Sequence, residues 1–208
     1  ATSAVFGSLT VGLVFLFMRR LTRRSGIAAL TALLLALSGL HIRLSHYMTV
    51  DIIATACTMA CVVACTMALA NQDRRLLWAS AVCGGLAVSA KYNYAVLAAP
   101  IGLACLLYPS PWTTKIKHTL FCAVLFCLAF ALTSPFILLD YAHASKYIQF
   151  EIRHYASGHL GMSGSSLTWY LSLLWDINPF YLILGLPGLI VCIARKKLIA
   201  LPMVAFTI

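Results

Sequence analysis

Apolar runs at residues 3–18, 27–40, 50–70, 76–90, 94–108, 119–139, 179–194 and 198–208 alternate with short polar segments along the chain. A helix of about 20 residues crosses a ~30 Å hydrocarbon core. The pattern therefore predicts an all-α polytopic membrane protein of about eight transmembrane helices, the last one truncated. Residues 76–108 are the ambiguous stretch. As one helix they would be about 50 Å long at 1.5 Å per residue, well beyond the core. Two short helices meeting near Lys91 fit better, and such paired helices with a polar turn surround a site rather than face lipid.

Charge orients the runs. Arg19, Arg20, Arg23, Arg24, Arg74, Arg75, Lys115, Lys117, Arg195, Lys196 and Lys197 fall on one side if every run crosses once, and Arg43, Lys91, Lys146 and Arg153 on the other. The positive-inside rule puts the larger group in the cytoplasm. The extracytoplasmic side then holds Asp51, Asp140, Glu151 and Asp176, together with His41, His46, His143, His154 and His159. Groups that exchange protons or hold metal near neutral pH thus gather on one face, where a reaction would occur.

Composition narrows the class. With 208 residues, 62% hydrophobic and 10% charged, and a mean hydropathy of +0.94, the chain is not a soluble domain, a disordered segment or a disulfide-stapled module. The net charge of +10 is that of basic cytoplasmic loops, so the lipid bilayer is the expected partner and nucleic acid is not. The first residue is not Met and lies inside an apolar run, and the last run is cut. At least one span and an outer loop are expected before Ala1. No secretory signal is seen, since arginines follow the first run.

Three outer segments carry candidate chemistry. In 41–51, Asp51 is either a helix cap shared with Thr49 or a carboxylate that, with His46 and Tyr47, holds a metal ion or orients a phosphate-bound cation. At Lys91-Tyr92 the lysine either snorkels to the interface beside tyrosines or binds a lipid-linked phosphate. An unpaired lysine among apolar helices is expensive, which favours the phosphate. The main outer loop, 139–178, is predicted to carry an interfacial helix over 144–155. It places Ala144, Ile148, Ile152 and Tyr155 on one face, and Lys146, Gln149 and Arg153 on the other. Glu151 falls on the apolar face and needs a partner there. His154, Tyr155 and His159 follow in a glycine-rich stretch suited to close approach. Trp169, Tyr170 and Trp175 are an aromatic belt or sugar-stacking platforms. The eight cysteines lie within the apolar runs, with Cys57, Cys61 and Cys65 four residues apart. Small-residue helix packing accounts for them better than disulfides or a thiolate site.

At Asp51, Lys91-Tyr92 and residues 153–164 the chain resembles the protein O-mannosyltransferase and lipid A aminoarabinose transferase group of the GT-C superfamily of polyprenyl-phosphate-dependent glycosyltransferases. The likeness runs in span order through Tyr47-x-x-x-Asp51, Gly84-Gly-Leu-Ala-Val-Ser-Ala-Lys91-Tyr92, Ser134-Pro135, Asp140, Arg153-His-Tyr-x-x-Gly-His159 and Ser166-Leu-x-Trp169-Tyr170. It implies that residues 1–208 are part of a GT-C-like transmembrane domain. It implies transfer of a sugar from a polyprenyl-phosphate donor to a protein hydroxyl or lipid acceptor at the extracytoplasmic face, usually with inversion. The family's catalytic carboxylate lies in its first outer loop, so the general base is expected before Ala1 and the fragment by itself inactive. Lys91, Tyr92 and Arg153 are the expected contacts to the donor phosphate. His46, Tyr47, Asp51, His154, Tyr155, His159 and Tyr170 are expected to orient groups or bind substrate. A divalent metal on Asp51 and His46 is the open cofactor question. A bacterial or archaeal inner membrane is the expected location. A transporter or lipid flippase, or a purely structural membrane subunit, is the competing class, the former needing mid-bilayer ionisable groups and an inverted repeat.

Overall fold

A computed structural model describes residues 1–47, 49–157, 166–177 and 179–195 and divides the chain into two compact units, the first over Ala1–Ser134 and the second over Pro135–Ala200. Among the described residues every regular element is a helix. The first unit contains α1 (Thr2–Thr22), α2 (Ser25–Ala36), α3 (Gly39–His46), α4 (Val50–Asn71), α5 (Arg74–Ala90), a 3₁₀ segment (Tyr92–Leu97), α6 (Ala98–Leu107) and α7 (Trp112–Thr133). The second contains α8 (Phe136–Leu139), α9 (Tyr141–Ser157), α10 (Ser166–Ile177) and α11 (Phe180–Arg195).

The apolar runs become helices, with fewer long crossings than their number predicts. Among the described residues, α1, α4 and α7 are long and apolar enough to cross a membrane, and α2 with α3, bent by 60° between Ala36 and Gly39, makes up to four. The runs at 76–90 and 94–108 are two elements: α5 ends at Ala90, Lys91 is extended (φ −157°, ψ 120°), and the chain re-enters as a 3₁₀ turn. The run at 119–139 also breaks, because a residue before proline is pushed out of the helical region. Ser134 (φ −131°, ψ 56°) ends α7 ahead of Pro135. The run at 198–208 lies outside the described residues.

Packing in the first unit is built on small side chains. Cys61, Cys65 and Ala68 of α4, Leu77 and Ala81 of α5, and Ala104 and Cys105 of α6 are buried together with Cys122 of α7. These thiols are unoxidised, in keeping with small-residue helix packing. On α7 the opposite face is apolar and exposed: Leu120, Val124, Leu128 and Leu132, every fourth residue, are 49–71% accessible. A stripe of that kind faces lipid rather than water.

α5 and α7 run parallel in a defined register. The Cys122 thiol donates to the Leu77 carbonyl at 3.6 Å. Trp78 meets Phe121 edge to face with centroids 5.1 Å apart, and the Ser89 and Ser134 hydroxyls meet at 2.5 Å. Between these levels Gly84 and Gly85 let the helices close up. A Cβ at Gly85 would lie against the Phe126 carbonyl oxygen, within 2.8 Å of the Ala129 Cβ and 3.1 Å of the Phe130 nitrogen.

The ends of the bundle differ in charge. Gly7 of α1 abuts Ser45 of α3, its carbonyl accepts from His41 Nε2 at 3.2 Å, and α3 leads directly into α4. The starts of α1 and α4 therefore share one end with Lys91. Arg19, Arg20, Arg23 and Arg24, at the far end of α1, lie at the other end with Arg74, Arg75, Lys115 and Lys117 at the starts of α5 and α7.

In the second unit α9 spans Tyr141–Ser157, longer at both ends than the predicted 144–155. Ala144, Ile148 and Glu151 are half-buried along one side, while Ile152 and Arg153 are exposed. Asp140 Oδ1 accepts from the His143 ring at 2.9 Å and from its backbone N–H at 3.4 Å, the geometry of a helix N-cap.

Candidate functional site

Two side chains nominated independently from sequence meet in the first unit. The Lys91 ammonium donates to Asp51 Oδ1 at 2.8 Å. Each belongs to a helix end. Asp51 sits in the first turn of α4, after the N-cap Thr49, whose hydroxyl makes no capping bond. The Thr49 hydroxyl is buried without a hydrogen-bond partner among the described residues. A carboxylate there complements the positive end of the helix dipole. Lys91 follows α5: its N–H still bonds the Ala87 carbonyl at 3.0 Å, while its own carbonyl accepts from Tyr94 at 3.1 Å. The lysine is thus a fixed joint between two helical segments rather than a free loop residue.

About a third of each side chain is exposed, 35% for Lys91 and 37% for Asp51. The cation is held in place and remains partly exposed. An ion pair of this exposure contributes on the order of 1 kcal/mol or less to stability. Asp51 is not the N-cap, which is Thr49, and its carboxylate is paired with Lys91. Lys91, expected from sequence to be unpaired among apolar helices, has a carboxylate partner.

Neighbouring contacts hold this joint. The Ser89–Ser134 hydroxyl pair lies one half-turn before Lys91 and ties the end of α5 to the end of α7. Tyr92, 42% exposed, packs edge-on against Phe130 with centroids 6.3 Å apart. Sequence inspection missed the serine pair. Its signal was faint: one small hydroxyl residue before Lys91 and another before Pro135.

The other nominated residues are placed as follows. His46 closes α3 with Nδ1 donating to the Ile42 carbonyl at 2.8 Å, which leaves Nε2 as the acceptor nitrogen. Tyr47 is extended and 60% exposed. Arg153 is exposed on α9 of the second unit. His154 and Tyr155 are in α9 and Tyr170 in α10. His159 lies outside the described residues. Trp169, Tyr170 and Trp175, expected as an aromatic belt or sugar-stacking platforms, are all in α10, where Trp175 is 55% exposed.

Metal binding on Asp51 and His46 finds no support in this arrangement. Among the described residues no three His, Cys, Asp or Glu side chains gather as a metal site, and Asp51 already accepts from an ammonium.

What the arrangement can do is hold a cation at the mouth of a helical bundle, next to an aromatic ring and between apolar helices. Such a site suits an anionic group carried on a lipid. A family model described as dolichyl-phosphate-mannose-protein mannosyltransferase matches residues 1–156. The match takes in Ala1–Ser134 and nearly all of α9. No curated protein and no solved structure matches the chain.

Proposed function

The chain belongs to the dolichyl-phosphate-mannose-protein mannosyltransferase family, a family of membrane glycosyltransferases, and we propose that it carries the donor-phosphate side of a transferase site. The donor is a sugar, mannose by the family's description, on a polyprenyl phosphate. The acceptor is a protein hydroxyl or a lipid, and the reaction takes place at the extracytoplasmic face of a bacterial or archaeal inner membrane. The chain makes about eight crossings, with α5, the segment Tyr92–Leu107 and α11 as short ones, and α9 lies in the interface.

The acceptor oxygen attacks the anomeric carbon as the bond from that carbon to the phosphate oxygen breaks. Polyprenyl phosphate leaves with the electron pair, and the hydroxyl proton goes to a base outside the residues assigned here. Negative charge grows on the leaving phosphate, so a cation fixed beside it stabilises the transition state more than the ground state. Lys91 takes that role, with Tyr92 beside it, and the family resemblance implies a like role for Arg153. Asp51 positions Lys91. His46, Tyr47, His154, Tyr155, His159 and Tyr170 orient donor or acceptor. No step is assigned to a metal.

The observation that carries this proposal is the Lys91–Asp51 pair at 2.8 Å inside the segment matched by the family. The match favours a transferase over a transporter, flippase or structural subunit. The test is transfer of labelled mannose from polyprenyl-phosphate mannose by the full-length protein. Wild type is expected to transfer it, and Lys91→Ala and Arg153→Ala each to lose about 100-fold, the usual cost of one electrostatic group. Absence of transfer by wild type, or unchanged turnover in both variants, overturns the proposal.

A further inference from the structure

The opposite end of the first unit carries a second cationic arrangement, which the transferase proposal does not use. Arg74 lies one turn before Trp78, and Lys117 one turn before Phe121. Residues four apart are neighbours on a helix, and the two rings are in edge contact at 5.1 Å. Arg74 and Lys117 are therefore brought to the same level beneath one aromatic pair. The Arg74 guanidinium lies over the Trp78 ring, 5.6 Å from its centroid. Arg75 follows Arg74 in the first turn of α5, and Lys115 lies in the first turn of α7, two residues before Lys117.

The cluster is built, not merely exposed. The Tyr108 hydroxyl donates to the Gln72 carbonyl at 2.6 Å, tying the turn before α5 to the turn before α7. The Tyr108 ring meets the buried His118 of α7 at 5.5 Å. The nearby acid is Asp73, and its Oδ1 accepts the Arg75 backbone N–H at 2.9 Å. Among the described residues none of the four cations is in an ion pair, and two helix N-termini add partial positive charge. Lys117 also stands at the head of the exposed stripe Leu120, Val124 and Leu128, which follows it at helical spacing.

We infer that this end of the bundle binds the headgroup of an anionic phospholipid, its phosphate between Arg74 and Lys117 and an acyl chain along the α7 stripe. A cation that runs directly into a lipid-facing apolar stripe matches an amphipathic ligand, whereas a free phosphate would use the charge and leave the stripe idle.

The test is lipid retention by the full-length protein after reconstitution in vesicles of phosphatidylcholine and phosphatidylglycerol, read by native mass spectrometry. Wild type is expected to keep phosphatidylglycerol over phosphatidylcholine. The double variant Arg74→Gln with Lys117→Gln is expected to lower that preference on the order of tenfold. Arg74→Lys with Lys117→Arg keeps it, and Arg19→Gln with Arg20→Gln, which removes equal charge from the same end, changes it by less than about twofold. Equal losses in the two Gln doubles would show diffuse attraction and overturn the site. So would retention unchanged in Arg74→Gln with Lys117→Gln, or release of the lipid by inorganic phosphate.

Discussion

Lys91 is paired with the Asp51 carboxylate at one end of the bundle, and that pairing decides what its neighbour does. Because the pair is about one-third exposed, Asp51→Asn is expected to change stability by less than about 1 kcal/mol. The same variant should lower kcat/KM for the lipid-phosphate donor about tenfold, since a misplaced cation loses much of its effect on the transition state. Thermal denaturation and donor titration measure the two separately. Reversing the pair, Asp51→Lys with Lys91→Asp, should keep the bridge and the stability but stay inactive, because the cation is then on the wrong helix. Recovery of activity in the reversed pair would reduce the bridge to a structural contact. Both residues were legible in sequence, as polar interruptions at the edges of apolar runs. Their pairing was not, because they are forty positions apart and no helical or strand period links such positions. The Ser89–Ser134 contact was hidden for the same reason.

Helix α5 owes its path to two glycines. At Gly85 a methyl group would press on the Phe126 carbonyl and the α7 backbone, so Gly85→Ala should destabilise the protein by about 1–3 kcal/mol through overpacking. It would also shift Ser89 and Lys91 from their partners. At Gly102 nothing lies within 4 Å of an added Cβ, and Gly102→Ala is expected to be neutral or to stabilise α6 by up to about 1 kcal/mol. Thermal melts of the two variants in detergent check the contrast. Breaks in the elements were readable where chemistry forces them, at Lys91 between two apolar runs and at Pro135. The number of long crossings was not. An apolar run of 10–17 residues has the composition of a span whether or not its helix is long enough to cross the bilayer alone, and α5, α6 and α11 are of that length.

For the molecule as a whole, the asymmetry seen in sequence has a spatial counterpart in the first unit, with Arg74, Arg75, Lys115 and Lys117 at one end and the Lys91–Asp51 pair at the other. Cysteines introduced at Tyr92 and at Lys117 should react with a membrane-impermeant maleimide from opposite sides. Labelling of both from one side would refute this topology. Charge counting could separate the two ends because lipid membranes sort cations. It could not show that Lys91 is held by a particular acid, which depends on helix packing. The most direct test of the central claim is steady-state transfer from polyprenyl-phosphate mannose by the full-length protein carrying Lys91→Gln or Lys91→Arg, with donor concentration varied. Lys91→Gln is expected to lower kcat/KM about 100-fold, with Lys91→Arg losing less than about tenfold. Wild-type kcat/KM in Lys91→Gln would contradict a role for this cation at the leaving phosphate.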